Sequence, residues 1–292
     1  MRFKTSHQKY NFTPFFRYFT HFYTVLLLCL ILGASALCLS ACGSSSKSHV
    51  IIAGSTSVQP YAELLAEEFT RLYPEGEIDV QGGGSSAGIS AAESGTAEIG
   101  MSSRHLTEKE SHLIGVEIAI DGLAVIIHPS NPIENLSLEQ IRQIYTLDIT
   151  DWSALGGPSS KIHIIAREEG SGTRSAFEEL VMDQRAITPK CIIQDSNGAV
   201  RQLVSDDPYS IGYISLGLLD GSVKALKLDG VTPSAEAIED GTYKLFRPFL
   251  YVMKTEPEGF AKEFLDFTMS PEGQAILIDE GLIPPTQGAL QP

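Results

Sequence analysis

Val116-Glu-Ile-Ala-Ile-Asp-Gly-Leu-Ala-Val-Ile-Ile-His128 is an almost unbroken β-branched and apolar run, interrupted only by the turn-forming pair Asp121-Gly122. An ordinary strand holds about five or six residues. A run of this length therefore reads as a strand that leaves one packed layer and enters another. Arg247-Pro-Phe-Leu-Tyr-Val-Met253 has the same character and stands where a return crossing is needed.

Before the first crossing, residues 50–53 predict a strand, and apolar positions 61, 64, 65, 69 and 72 share one face of a helix over 61–73. Strand 77–80, helix 85–93 and strand 97–101 complete a βαβαβ unit with parallel strands. After it come helix 137–146, opened by a capping box of Ser137 and Gln140, then strand 161–166, helix 172–182, strand 191–194, helix 199–205 and strand 211–214. Residues 260–278 read as closing helices, with Gly273 at a turn between them. Two α/β lobes joined by two crossings, 50–121 with 248–292 and 122–247, form the plan of a hinged binding protein. One continuous doubly wound sheet fits the local patterns nearly as well.

The first 23 residues carry Arg2, Lys4, Lys9 and Arg17 and no acid, and 24–41 is apolar, ending in small residues before Cys42. This is the layout of a secretory signal, expected over 1–41. A permanent transmembrane anchor is the competing reading. The small-small-Cys ending, in place of a basic stop-transfer cluster, favours cleavage. Residues 42–49 then read as a flexible tether. With Cys29 and Cys38 gone and Cys42 modified, Cys191 alone remains in the body, which excludes a disulfide there.

Without the four leader bases, 17 Lys and Arg stand against 36 Asp and Glu, a formal charge of −19. Nucleic-acid binding is excluded, because phosphate backbones are met with basic patches. Any anion must be held by local geometry. Four Ser, Thr and Gly clusters lie where strands hand over to helices: Ala53-Gly-Ser-Thr-Ser57, Gly82-Gly-Gly-Ser-Ser-Ala-Gly88, Gly100-Met-Ser-Ser-Arg104 and Arg167-Glu-Glu-Gly-Ser-Gly-Thr-Arg174. Each offers free N–H groups at a helix N-terminus together with hydroxyls. One such cluster is ordinary capping. Four of them, two with an adjacent arginine, point to convergence on one anion at the carboxyl ends of the strands.

Gly54-Ser-Thr-Ser, Gln81-Gly-Gly-Gly-Ser-Ser-Ala-Gly88, Met101-Ser-Ser-Arg104, Asp121-Gly122, Arg167-Glu-Glu-Gly-Ser-Gly-Thr-Arg174 and Ile211-Gly-Tyr-Ile-Ser215, in this order, resemble the phosphate-binding lipoproteins of the phosphate-specific ABC importer, the PstS type. The resemblance implies a type II periplasmic-binding-protein fold, α/β, closing two lobes on inorganic phosphate for ABC importer permease subunits. It implies a monomer with no cofactor and no metal. Carried over by position, Thr56, Ser57, Ser85 and Ser103 would donate from one lobe, and Arg167, Ser171, Gly172 and Thr173 from the other. Arg104 and Arg174 are open between ligand contact and surface pairing. Leu39-Ser-Ala-Cys42 resembles a bacterial lipobox, which implies a lipid anchor on Cys42 and an extracytoplasmic place at the cell membrane.

Some members carry an aspartate at the position of Ser103 as proton acceptor. The resemblance moves that role here to Asp121, whose other reading is a turn residue before Gly122. A binding protein for sulfate, molybdate or tungstate is the neighbouring alternative. A serine hydrolase is the distant one, since Gly84-Ser-Ser-Ala-Gly88 fits a nucleophile elbow around Ser86. No histidine follows His163, where that fold keeps its base.

Overall fold

The computed structural model describes residues 48–183, 185–285 and 290–291. The expected leader over 1–41, Cys42 and residues 43–47 lie outside the described residues. Strand β1 (Ser48–Gly54) begins inside the stretch predicted as tether, because Ser48 and His49 pair with Gly76 and Glu77 of β2 (Gly76–Gly82).

The long apolar run is one continuous strand, β4 (Ile114–Ile127), without the interruption expected at Asp121-Gly122. A ladder with the antiparallel return strand β11 (Phe246–Met253) overrides the turn chemistry: Asp121 pairs with Arg247 and Gly122 with Phe246. Gly122 serves packing here. A Cβ on it would lie within 2.8 Å of the side chains of Leu216 and Ile238.

The sheet order is β2, β1, β3 (Ile99–Ser102), β11, β4, β8 (Ser210–Ser215), β6 (His163–Arg167), β7 (Ile192–Gln194). The first three strands are parallel, β8, β6 and β7 are parallel, and antiparallel pairings of β11 and β4 join the two groups. Short β5 (Asn135–Leu136) and β10 (Lys227–Leu228) pair with each other, while β9 (Lys224–Ala225) and β12 (Leu290–Gln291) flank β4.

Two large apolar clusters lie on this frame. One joins Val50, Ile52 and Phe69 to Ile118, Ala119 and Phe249. The other joins Leu123 and Val125 to Trp152, Phe177, Tyr213 and Leu245, with Ile283 from the C-terminal segment. β4 thus passes from one core to the other across residues 120–122. In the first, Phe69 of α1 (Gln59–Leu72) meets Phe260, Phe264 and Phe267 at centroid distances of 5.0 to 5.5 Å. In the second, Phe177 stacks on Tyr213 at 4.0 Å. Burying each such ring contributes roughly 1.5 to 3 kcal/mol. Trp152 is a packing residue, fully buried, and its Nε1 donates to the Tyr209 carbonyl.

The remaining helices are α2 (Ser85–Ser94), α3 (Leu138–Tyr145), α4 (Gly172–Phe177), α5 (Asn197–Asp206), α6 (Ala235–Glu239), α7 (Gly259–Met269) and α8 (Pro271–Asp279). Ser137 and Gln140 form the expected capping box on α3. The helix predicted over 172–182 becomes π-helical at Glu178–Met182, where Val181 and Met182 are both fully buried. The break near Gly273 lies instead at Ser270-Pro271: Ser270 caps α8 and accepts the Gly273 N–H, so Gly273 is inside the first turn.

Close approach of α2 to the sheet sets the positions that matter for chemistry. A Cβ on Gly88 would lie 2.4 Å from the Ala53 carbonyl and 2.6 Å from the Gly54 Cα. Gly88→Ala should therefore cost about 1 to 3 kcal/mol by overpacking. Gly198→Ala, with nothing within 4 Å of its Cβ, should leave stability unchanged or slightly raised. Denaturant unfolding of the two variants checks both.

Candidate functional site

Parallel strands on each side of the crossing end in the four hydroxyl-rich turns. The Gly54 carbonyl accepts the N–H groups of Gly83 and Gly84, which brings the turn after β1 against the N-terminus of α2. Gly84, with φ +89, is the residue that enters the helix, and Ser85 follows as its first residue. The Ser85 hydroxyl accepts the Ser103 N–H at 3.0 Å and lies 3.3 Å from the Ser103 hydroxyl, which in turn accepts from Ser55 at 2.9 Å. Gly172 opens α4 against this group: a Cβ there would lie 2.3 Å from Ser85 Oγ and 2.5 Å from Ser103 Oγ. Only glycine permits that contact.

The hydroxyls of Ser57 and Thr173, one from each side of the crossing, hydrogen-bond to each other at 2.8 Å. Asn197, at the start of α5, donates through Nδ2 to Ser57 Oγ at 2.9 Å and accepts the Ser215 N–H on Oδ1. Arg167 leaves the end of β6. Its Nη2 donates to Thr56 Oγ1, to the Asp195 carbonyl and to Glu168, and its Nε donates to Glu168. Ser171 caps α4 by accepting the Arg174 N–H.

Arg247 enters from β11. Its Nη2 lies 3.2 Å from Ser57 Oγ, 3.4 Å from Thr173 Oγ1 and 3.1 Å from Asp121 Oδ2. Ser57, Ser85, Ser103, Asp121, Arg167, Thr173 and Arg247 are each at most 3 % exposed. At that depth an unpaired polar atom costs about 1 to 3 kcal/mol, and more when charged. Among the described residues, Arg167 Nη1 and Arg247 Nε and Nη1 are buried without a hydrogen-bond partner, while Asp121 Oδ2 is held by its ion pair with Arg247. Burial pushes Asp121 above the ordinary carboxylate range, against the opposing pull of Arg247. Burial likewise lowers Arg247, with Asp121 holding it up and the nearby Arg167 charge adding to the fall.

Thr56, Ser57, Arg167 and Thr173 thus share one hydrogen-bonded group. Ser85, Ser103 and Gly172 form a second against it, and Asp121 joins through Arg247. The two adjacent arginines point elsewhere. Arg104 pairs with Glu110 through both Nη atoms and donates to the His105 carbonyl. Arg174 pairs with Glu178 and braces the Arg167 carbonyl. Arg247, Asn197 and Ser55 are the members that the sequence reading passed over. No group of three or more His, Cys, Asp or Glu among the described residues could hold a metal ion.

A family profile described as a PBP superfamily domain matches residues 40–272. The phosphate-binding protein PstS of Bacillus subtilis is 33 % identical over 283 residues, covering 89 % of this chain and 94 % of that protein. This chain belongs to the PstS family of the PBP superfamily. PstS of Borreliella burgdorferi is 29 % identical over 89 % of the chain and 98 % of its own length. A phosphate ABC transporter substrate-binding protein from Clostridium perfringens, solved with bound phosphate, superposes with a TM-score of 0.79 at 44 % identity, covering 82 % of this chain and all of that one. An ABC-type phosphate transport receptor from Vibrio cholerae gives 0.68 at 38 % identity over 81 % of this chain and all of that one.

The fold is the type II periplasmic-binding-protein fold expected from the resemblance. The PstS family is one of substrate-binding proteins. Ser86 uses its N–H to bond the Gly170 carbonyl, while His112, His128 and His163 bond Glu93, Ser130 and Asp207.

The Arg104 pair and the Thr107 N–H hold Glu110 down to about 2 from an ordinary 4.5. A depressed carboxyl stabilises the fold above its unfolded value and loses that contribution as pH falls from 4.5 toward 2. With solvent screening the effect is about 1 kcal/mol. Glu110→Gln should cost that much at pH 6 and converge with the parent chain near pH 2, as read by urea unfolding across pH.

Proposed function

We propose that this chain captures inorganic phosphate between two lobes, residues 50–121 with 248–292 and residues 122–247, and delivers it to an ABC permease without catalysis. The observation that carries the reading is the buried convergence of Ser57, Ser85, Ser103 and Thr173 with two guanidiniums and one carboxylate, several of whose polar atoms have no partner within the protein. Hydroxyls and helix N-termini donate to an oxyanion without adding net charge. Arg167, with Nη1 free, supplies a charge-assisted contact. Thr56, Ser57, Ser85 and Ser103 serve one lobe, and Arg167, Ser171, Gly172 and Thr173 the other. The two apolar clusters, meeting at the crossings, support the division into lobes.

Asp121 supplies selectivity. Hydrogen phosphate carries a proton that Asp121 Oδ2 accepts, whereas sulfate carries none and meets an uncompensated carboxylate. The difference is about 1 to 3 kcal/mol or more, roughly 5- to 150-fold in affinity.

Among the described residues no helix is long and apolar enough to cross a membrane. The reading places the chain on the extracytoplasmic face as a monomer, held by a lipid on Cys42 through the tether. Tethering keeps a soluble clamp at high effective concentration beside its permease. The four N-terminal bases, the apolar 24–41 run and Leu39-Ser-Ala-Cys42 support this.

Isothermal titration of the purified chain should show one phosphate site and sulfate at least fivefold weaker. A preference for sulfate contradicts the reading. Asp121 must be ionised to accept that proton, and burial raises its value in the free protein, so binding releases whatever proton Asp121 holds and affinity should fall as pH drops through that raised value. Asp121→Asn should flatten that dependence and narrow the gap between phosphate and sulfate. Titrations in buffers of different ionisation enthalpy measure the proton directly.

A further inference from the structure

Arg247 sits at the start of an apolar strand, and its guanidinium is almost wholly buried at 3 % exposure. A buried ion costs several kcal/mol unless geometry and additional hydrogen bonds compensate. Asp121 compensates part of this at 3.1 Å, and the Phe249 ring lies 5.6 Å from the guanidinium carbon, supporting its face. Neither contact explains the remaining nitrogens. Nε and Nη1 have no partner, and Nη2 reaches the Ser57 and Thr173 hydroxyls, the pair that meets across the crossing. Arg167 stands close enough for like-charge repulsion to lower Arg247, and its own Nη1 is equally unpartnered. Arg167 donates to the Thr56 hydroxyl and Arg247 to that of its neighbour Ser57, and Asn197 Nδ2 reaches both hydroxyls, so the two desolvated guanidiniums serve adjacent donors of one site, where an anion would stabilise both.

We propose that Arg247 is a second cationic ligand of the bound oxyanion, presented by the return strand and oriented by Asp121. Resting on the phosphate reading above, this places cations at two separate parts of the site: Arg167 at the end of β6 and Arg247 on the crossing itself. A point charge is not enough for the role. The fork geometry of arginine lets Nη2 keep Asp121 while the other nitrogens turn to the anion, which a lysine ammonium cannot match.

The test is titration of phosphate and of sulfate into the full chain and into Arg247→Gln, Arg247→Lys, Asp121→Asn and the double variant Asp121→Asn/Arg247→Gln, with thermal unfolding of each. The expected result is phosphate affinity at least a hundredfold weaker in Arg247→Gln and at least tenfold weaker in Arg247→Lys. The double variant removes both buried charges, so it should unfold at a higher temperature than Arg247→Gln while binding at least tenfold more weakly than Asp121→Asn. Equal affinities of the double variant and Asp121→Asn would overturn the proposal, reducing Arg247 to a counter-ion of Asp121. A parent chain that binds sulfate in place of phosphate, with sulfate lost in Arg247→Gln, would overturn the phosphate reading and uphold the role of Arg247. Phosphate bound equally by the parent chain and Arg247→Gln would overturn the role of Arg247 and uphold the reading.

Discussion

Everything in this molecule is arranged around a buried ion pair, Arg247 with Asp121, held where two antiparallel strands run between two hydrophobic cores. The residues face each other directly in the β4 and β11 ladder, so their pairing is fixed by the same backbone hydrogen bonds that carry the chain across. Removing one partner of such a pair costs about 3 to 5 kcal/mol, because the other is left charged and dry. Register, crossing and electrostatics are therefore one constraint. A one-residue slip of β11 against β4 would turn Arg247 to the face of the sheet opposite Asp121.

From that pair the network extends to both sides through Ser57 and Thr173. The two hydroxyls belong to turns after β1 and after β6, carried by different parallel groups of strands, and they meet at 2.8 Å. Asn197 and Arg167 add further links to Ser57 and Thr56. Networks of this kind in a low-dielectric interior are costly when incomplete, and here incompleteness falls on guanidinium nitrogens, beside a carboxylate oxygen held by its ion pair. On the proposed reading, an anion with several acceptor oxygens and one proton would satisfy both kinds at once. That resolves the apparent conflict between an anionic ligand and a chain of formal charge −15: field at the surface and donors in the interior are separate matters.

Much of this architecture was legible in the sequence. The βαβαβ start, the capping box at Ser137 and Gln140 and the two crossings follow from periodicity and cap chemistry, which are local. The expected break at Asp121-Gly122 did not form, because turn propensity is weaker than a completed ladder with β11. Arg247 was passed over because its meaning depends on strand register, which brings it opposite Asp121 from 126 residues away. A lone arginine opening an apolar run was the available signal, since a charge forced inside requires a partner. Asn197 was missed when α5 was predicted to begin at residue 199; the helix starts at Asn197, capped by Ser196. Arg174 and Glu178, four residues apart on one helical stretch, were a readable surface pair.

The most direct measurement is a crystal structure of the chain grown with arsenate, the heavier tetrahedral analogue of phosphate, located by its anomalous signal. One arsenic atom should lie among Ser57, Ser85, Ser103, Thr173, Arg167 and Arg247, with one of its oxygens within hydrogen-bond distance of Asp121. An anomalous peak elsewhere, with these side chains still bonded only to one another, would contradict the site.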